Sequence, residues 1–169
     1  MEIRNLEDKK KWDYENGFYW FSSPSRLNKL LAHYELYKLV VKLPGDIFEL
    51  GVHKAASLIR FSTIRASLEN NEARRIVGFD VFGKFPTDNL SLKSDIDFIN
   101  EFEEEAGDGL NINEIEKILQ TKGFNNINLV KGNVYETLPK YLADNPWTRL
   151  SILHLDMDVK EPTTFALEM

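Results

Sequence analysis

Short apolar segments alternate with longer segments of helical periodicity over most of this chain, and the alternation restricts the folds that it can adopt. Four segments have strand character: residues 46–51, 76–80, 127–130 and 150–155. Strands separated by helices form βαβ units, which build a mostly parallel sheet with right-handed crossovers. We therefore predict an α/β fold.

Helices are predicted around these strands from apolar residues at helical spacing. They cover residues 55–68, a segment through Ile96 and Phe102, residues 112–119, residues 136–143 and a final helix beginning near Pro162. Another helix precedes the first strand, because Ser23 is a preferred cap and Pro24 is favoured in a first turn. We divide the chain into an N-terminal aromatic segment and helix, residues 1–42, and one domain, residues 43–169.

The composition limits the chemistry and the partners of the chain. It contains no cysteine, which excludes disulfides, thiol catalysis and thiolate metal sites. Its net charge of −6 argues against nucleic acid or an anionic membrane as a partner. No apolar run approaches the roughly 20 residues that span a bilayer, and the N-terminus is too polar for a signal peptide. We therefore predict a cytoplasmic protein.

In an open parallel sheet, ligands bind at the carboxyl ends of the strands. Gly51 follows the first strand, where backbone can approach a ligand closely and the next helix N-terminus favours an anion. The dinucleotide fingerprint G-x-G-x-x-G is absent, because His53 stands in place of its second glycine. Asp80 ends the second strand, and its carboxylate could accept hydrogen bonds from both ribose hydroxyls. The alternatives are structural: a tight turn at Gly51 and a turn cap at Asp80.

The third and fourth strands also end in residues that could bind a ligand. Gly132 would let a flat ring approach and Asn133 could bond to it, although both residues are also typical of turns. Asp156 and Asp158 are two residues apart, so in extended chain they would point the same way. Paired carboxylates can hold Mg²⁺ together with water and substrate. Alternatively, Asp158 caps the final helix.

Together these strand ends indicate a ligand that contains adenosine and a carboxylate but no phosphates, and S-adenosylmethionine has this chemistry. The sequence also resembles the class I S-adenosylmethionine-dependent methyltransferases, specifically the macrocin-O-methyltransferase (TylF-type) family. Four stretches carry the resemblance in family order: LPGDIFELGVHKAAS, VGFDVFGKFP, LVKGNVYETLP and ILHLDMDVKEPTTFALE. The resemblance implies a Rossmann-like sheet with helices on both faces.

The resemblance also implies a role for each strand end. The residues expected to bind S-adenosylmethionine are Glu49, Gly51, Val52, Ser57, Asp80, Val81, Gly132, Asn133 and Asp156. Asp156 and Asp158 would be catalytic and would bind Mg²⁺, which orients a sugar and acidifies the hydroxyl to be methylated. That oxygen then displaces the sulfonium methyl in line, a reaction that depends chiefly on positioning. The implied acceptor is a sugar or a sugar-containing small molecule.

Two departures from the family pattern bear on these expectations. The family usually has glycines where this chain has Ala55 and Ala56. The two alanine side chains narrow the turn after the first strand, which we call the cofactor turn. Family members also continue past the fourth motif, so we expect the C-terminal strands of the sheet to be missing. The fourth strand would then be an exposed apolar edge. A second copy of the chain would be a suitable cover for it, which predicts a homo-oligomer.

Several alternatives stay open. The chain could be a non-catalytic or truncated methyltransferase-like module that binds only cofactor or a partner. The motif LHLDMDV also resembles the Asp-x-Asp strand end of haloacid-dehalogenase-type phosphatases, which normally opens its domain. His154 is interpreted as a core residue, whereas His53 could contact ligand. The aromatic cluster Phe18 to Phe21 favours core or dimer packing over a lid.

Overall fold

The computed structural model describes residues 1–86 and 90–169. Its strands are β1 (Glu2–Ile3), β2 (Leu6–Glu7), β3 (Asp46–Leu50), β4 (Ile76–Asp80), β5 (Ile127–Lys131) and β6 (Leu150–Leu155). Its helices are α1 (Lys11–Phe21), α2 (Pro24–Val40), α3 (Ala56–Leu68), α4 (Lys93–Ala106), α5 (Ile112–Lys122), α6 (Val134–Asp144) and α7 (Lys160–Glu168). The four predicted strands and the helices that flank them are all present.

Strands β3 to β6 form one sheet in the order β5-β4-β3-β6, and every neighbouring pair is parallel. This confirms the α/β prediction, with helices flanking the sheet. All four carboxyl ends therefore meet at one edge, where Leu50 pairs with both Phe79 and Leu155. Strand β6 is the last strand of the order, and its Leu150 and Leu153 are 43% and 42% exposed.

Alternate side chains of the strands build a core on each face of the sheet. On one face, Ile47 and Ile76 pack with Leu58 of α3 and Ile115 of α5. On the other face, Phe48, Phe79 and Val77 pack with residues of α6 and α7, including Leu138 and Ala166. Strands that are apolar on both faces are typical of a parallel sheet covered by helices.

Arg74 joins helix α2 to the sheet through a buried ion pair. Its guanidinium binds both oxygens of Glu69, at 2.9 and 2.7 Å, and also donates to the carbonyl oxygens of Val40 and Val41 at the end of α2. Burial opposes the ionisation of Glu69, but hydrogen bonds from Arg74 and Tyr37 hold its pKa below the usual value of 4.5. The last carbonyls of α2, which have no partner within the helix, are thereby satisfied.

The N-terminal segment contains elements that the sequence analysis did not predict. No helix or strand was assigned to residues 1–22, and in the structure they form the β1–β2 hairpin and α1, a helix without a single buried residue. Its Trp20 and Phe21 are 70% and 84% exposed, so the aromatic cluster does not pack into the core of the described chain. Helix α2, in contrast, contributes the buried Tyr37. The proposed division at residues 42 and 43 stays a prediction.

Candidate functional site

A pocket opens where the carboxyl ends of the four parallel strands meet. Three of its polar side chains come from different strand ends: Asp80, Asn133 and Asp156. Most of the remaining lining is apolar, from Phe79, Val81, Phe85, Pro86, Leu90, Phe102, Val134, Tyr135, Met157 and Pro162. A largely apolar cleft with a few convergent polar groups is the usual form of a small-molecule site. No helix in the described residues is long and apolar enough to cross a membrane.

Each turn that enters the pocket contains a residue with left-handed backbone. The non-glycine cases are His53, Ala55, Phe82 and Asp158, with φ from 48° to 61°. Gly51, at φ 90°, is required by space as well, because a Cβ there would lie 2.3 Å from the Asp156 carbonyl oxygen. Left-handed conformations of non-glycine residues are uncommon and concentrate at functional sites. Four of the seven non-glycine residues with positive φ in the described chain lie at this edge of the sheet, which supports it as the site.

The Asp80 carboxylate organises two of these turns. One oxygen accepts hydrogen bonds from the backbone N–H groups of Val52 and His53, at 2.7 and 2.9 Å. The other oxygen accepts from the N–H of Phe82 at 2.6 Å. A carboxylate has about four acceptor positions, so one position is left for a ligand hydroxyl. Asp80 thus caps the turns, which was the structural alternative, and still lines the pocket.

Asp156 and Asp158 both line the pocket but are not arranged as the sequence suggested. Asp158 has a φ of 61°, so the chain turns there and the expectation of two residues in extended chain is wrong. Burial and the negative charge of Asp156 raise the pKa of Asp158. Asp158 does not cap α7 either. The N-cap position is Val159, and the N–H of Lys160 donates to Asp95 at 3.1 Å.

Asp156 already has a cationic partner. The Lys29 ammonium, on α2, donates to its carboxylate at 3.0 Å across 127 residues of sequence. Within the described residues, no group of three or more His, Cys, Asp or Glu side chains is placed to hold a metal ion. Lys29 therefore supplies positive charge at the position where the sequence suggested a metal.

Gly132 and Asn133 form the turn after β5. Gly132 has a φ of 141°, which is accessible mainly to glycine, and its N–H donates to the Asp80 carbonyl oxygen at 2.9 Å. The Asn133 side chain accepts from the N–H of Tyr135 at 3.1 Å and so caps α6. The side-chain NH₂ of Asn133 is left to donate to a ligand.

Three of the residues expected to bind the cofactor lie beneath the pocket instead of on its surface. Glu49 is 0% exposed, Val52 3% and Ser57 6%, and none of them is among the lining residues. Among the described residues, neither Glu49 oxygen accepts a hydrogen bond, and the nearest ionisable nitrogen is His154 Nδ1 at 4.0 Å. Burial, with the charges of Asp156 and Asp80 nearby, raises the pKa of Glu49 to about 8.

The raised pKa of Glu49 predicts that stability falls as pH rises. Between pH 4.5, the usual pKa of a glutamate, and about 8, the folded chain keeps a proton that the unfolded chain has lost. Each pH unit in this window should then cost about 1.4 kcal/mol. Glu49→Gln should remove this slope, and urea unfolding at pH 5, 6.5 and 8 measures it. An equally steep decline in Glu49→Gln would contradict the prediction.

The sequence did not identify several residues of the pocket. Lys29, Phe85, Phe102, Tyr135 and Met157 were given no role at the site, although each lines the pocket or contacts a residue that does. The stretches VFGKFP and GNVYETLP contained Phe85 and Tyr135 and so gave a usable signal for them. Lys29 and Phe102 lie on helices far along the chain from the strand ends, and only the fold brings them to the pocket.

Comparisons with known proteins identify what this chain is similar to. Residues 21–169 match the macrocin-O-methyltransferase (TylF) family. CalS11, a calicheamicin methyltransferase, is 28% identical over 96% of this chain, with a TM-score of 0.63. The apo structure of CalS11, described as a TDP-rhamnose 3'-O-methyltransferase, is 29% identical over 96% of this chain, with a TM-score of 0.60. No curated protein sequence gives a significant match.

A third structure, of the O-methyltransferase NovP, shows the shared fold alone. It is 19% identical over 83% of this chain, with a TM-score of 0.70. The chain spans 66% and 64% of the length of the two CalS11 structures and 57% of NovP. The similarity therefore covers about two thirds of the CalS11 structures and less of NovP.

Proposed function

Because this chain belongs to the macrocin-O-methyltransferase (TylF) family, we propose that it transfers a methyl group from S-adenosylmethionine to a hydroxyl of a sugar or sugar-containing small molecule. The observation that supports this most is the convergence of Asp80, Asn133, Asp156 and Asp158 on one largely apolar pocket. A sugar acceptor is favoured because one similar structure is described as a TDP-rhamnose 3'-O-methyltransferase.

The residues of the pocket fit S-adenosylmethionine. Asp80 has an acceptor position left for a ribose hydroxyl, and Gly132 and Asn133 offer a flat approach and an N–H donor for adenine. Val81 and Phe79 provide apolar surface for the ring. Glu49, Val52 and Ser57 would act from beneath the turn, where their side chains are buried and the Val52 N–H donates to Asp80. S-adenosylmethionine supplies the electrophilic methyl group of the reaction.

The protein's contribution to the reaction is positioning. Asp156 and Asp158 lie in the pocket beside the turn at Gly51, so they can hold an acceptor hydroxyl near the cofactor. Asp158, whose pKa is raised, is suited to accept the proton that the hydroxyl loses. The apolar lining excludes water, which would otherwise compete with the acceptor. Holding two reactants in line can supply roughly 7–11 kcal/mol of the barrier reduction.

The proposal also includes Mg²⁺, which would bind at Asp156 and Asp158 and assist the transfer. Asp156 and Asp158 are two carboxylates at one pocket, and Mg²⁺ is often bound by one or two carboxylates with water and substrate. The fit is opposed by Lys29, whose ammonium already binds Asp156 at 3.0 Å. Mg²⁺ would have to compete with this ammonium for the Asp156 carboxylate.

Lys29→Met should strengthen binding of a divalent cation by about tenfold, which corresponds to about 1.4 kcal/mol. The reason is that the variant removes a positive charge 3.0 Å from the oxygen that must bind the metal. Titration with Mn²⁺, followed by electron paramagnetic resonance, measures the affinity. Lys29→Arg keeps the charge and should bind Mn²⁺ as the unaltered protein does. Equal affinity in all three proteins would refute the competition.

Methyl transfer itself is tested by incubating the protein with S-adenosylmethionine and a panel of nucleotide-linked sugars. The expected result is S-adenosylhomocysteine together with a sugar product that is heavier by one CH₂ group, both detected by mass spectrometry. Cofactor binding without transfer to any sugar would favour the alternative function, a non-catalytic module that binds only cofactor or a partner.

We also propose a cytoplasmic location and a second copy of the chain over the exposed β6 edge.

A further inference from the structure

His53 connects three parts of the site through its backbone and its ring. Its N–H donates to the Asp80 carboxylate at 2.9 Å, and its carbonyl oxygen accepts from the N–H of Leu110 at 2.9 Å. Its ring Nε2 lies 3.0 Å from the Gly107 carbonyl oxygen. A carbonyl can only accept, so Nε2 carries the proton in this bond. The turn after β3, the end of β4 and the segment after α4 therefore meet at one residue.

The backbone of His53 is held in a conformation that favours glycine. Its φ is 48°, and it occupies a turn where dinucleotide-binding sheets have glycine. Such strain persists only where the surroundings fix it. Here the surroundings are the bonds to Asp80, Leu110 and Gly107, and the last of these requires a side chain with an N–H donor.

Helix α4 contributes Phe102 to the pocket lining, which we call the Phe102 wall, and the helix is attached at both ends. At its C-terminal end, the Phe102 ring lies 5.1 Å from the His53 ring, and the Lys54 ammonium donates to the Ala106 carbonyl oxygen. At its N-terminal end, Asp95 accepts from the N–H of Lys160 at the start of α7. Phe102 and His53 both line the pocket. The position of this wall therefore depends on the turn that carries His53.

We infer that His53 is a positioning residue that couples the cofactor turn to α4, so that a ligand bound at the turn also fixes the Phe102 wall. This inference rests on the proposed function, because it requires S-adenosylmethionine to bind at that turn. His53 thereby has a role that a glycine in the same place could not perform. The carbonyl of Gly107 and the ring of Phe102 are the contacts through which the coupling acts.

Hydrogen–deuterium exchange with S-adenosylhomocysteine as the probe tests the coupling. In the unaltered protein, the probe should slow exchange both in the turn, residues 51–55, and in residues 93–110. His53→Gly relieves the left-handed backbone but removes the ring. It should keep its melting temperature, bind the probe five- to tenfold more weakly, and protect the turn without protecting residues 93–110. His53→Gln has a side-chain NH₂ and should restore that protection.

Two results would overturn the inference, and they differ from each other. If His53→Gly binds the probe and protects residues 93–110 as the unaltered protein does, the coupling is refuted while the proposed function stands. If the unaltered protein does not bind the probe, both the coupling and the proposed function are refuted. Loss of protection in His53→Gly and its recovery in His53→Gln would support the inference. If His53 only stabilised the turn, glycine would allow the same ligand-induced protection of residues 93–110.

Discussion

Asp80→Ala should weaken the binding of S-adenosylhomocysteine at least a hundredfold, or by about 2.7 kcal/mol. The carboxylate accepts three backbone hydrogen bonds, from Val52, His53 and Phe82, and bonds to a charged acceptor each contribute about 1.5–3 kcal/mol. Its loss removes the proposed ribose contact and also releases the turns after β3 and β4. Isothermal titration calorimetry measures the affinity, and circular dichroism establishes that the variant is folded.

Two further variants separate the role of this carboxylate from its charge. Asp97→Ala removes the same charge from an exposed position on α4 and should bind as the unaltered protein does. Asp80→Asn keeps one oxygen for the backbone N–H groups, so its affinity should fall between those of Asp80→Ala and the unaltered protein. Retention of full affinity in a folded Asp80→Ala variant would contradict the assignment of Asp80 to the cofactor site.

Glu69→Ala should destabilise the fold by about 3–5 kcal/mol, the usual cost of breaking a buried ion pair from one side. The Arg74 guanidinium is 5% exposed, and without Glu69 it would be a buried charge with only carbonyl and hydroxyl partners. The lowered pKa of Glu69 also decides how its contribution to stability changes with pH. Its contribution to stability is complete above pH 4.5, its usual pKa, and is lost as the pH falls through the lower folded value.

An exposed ion pair on α2 supplies the control for Glu69. Glu35 and Lys38 bind at 3.0 Å with side chains that are 66% and 46% exposed, so Glu35→Ala should cost far less stability than Glu69→Ala. Urea unfolding of both variants measures the difference. Equal losses of stability would show that the burial of the Glu69–Arg74 pair has no energetic consequence, contrary to the prediction.

The sequence predicted the sheet well because its signals there are local. Each parallel strand is an apolar run between turn residues, and β4 and β6 begin and end where the pattern placed them. Helix α5, predicted over residues 112–119, ends at Gly123, whose φ of 65° is typical of a glycine after a helix. Helix α1 was missed because four of its aromatic residues, Phe18 to Phe21, are consecutive and so do not mark one helical face, and none of its residues is buried. Its stability does not come from the periodicity on which the prediction relied.

The site was less predictable because it depends on contacts between distant parts of the chain. The strand ends identified Asp80, Asn133, Asp156 and Asp158, all of which line the pocket. The turn at Asp158 and the bond between Lys29 and Asp156 have no local signal, and the latter spans 127 residues. Glu49, Val52 and Ser57 were expected at the ligand, but their side chains lie beneath the turn. Sequence position at a strand end does not decide which face a side chain occupies.

Calorimetric titration of S-adenosylmethionine into the protein, with and without Mg²⁺, tests the central proposal most directly. ATP is the matched control, because it shares the adenosine, and the chain has neither a P-loop nor a dinucleotide fingerprint for its phosphates. We expect saturable binding of S-adenosylmethionine at one site per chain under both conditions, and weaker binding or none for ATP. Absence of S-adenosylmethionine binding to the folded protein would contradict both the enzyme and the cofactor-binding module.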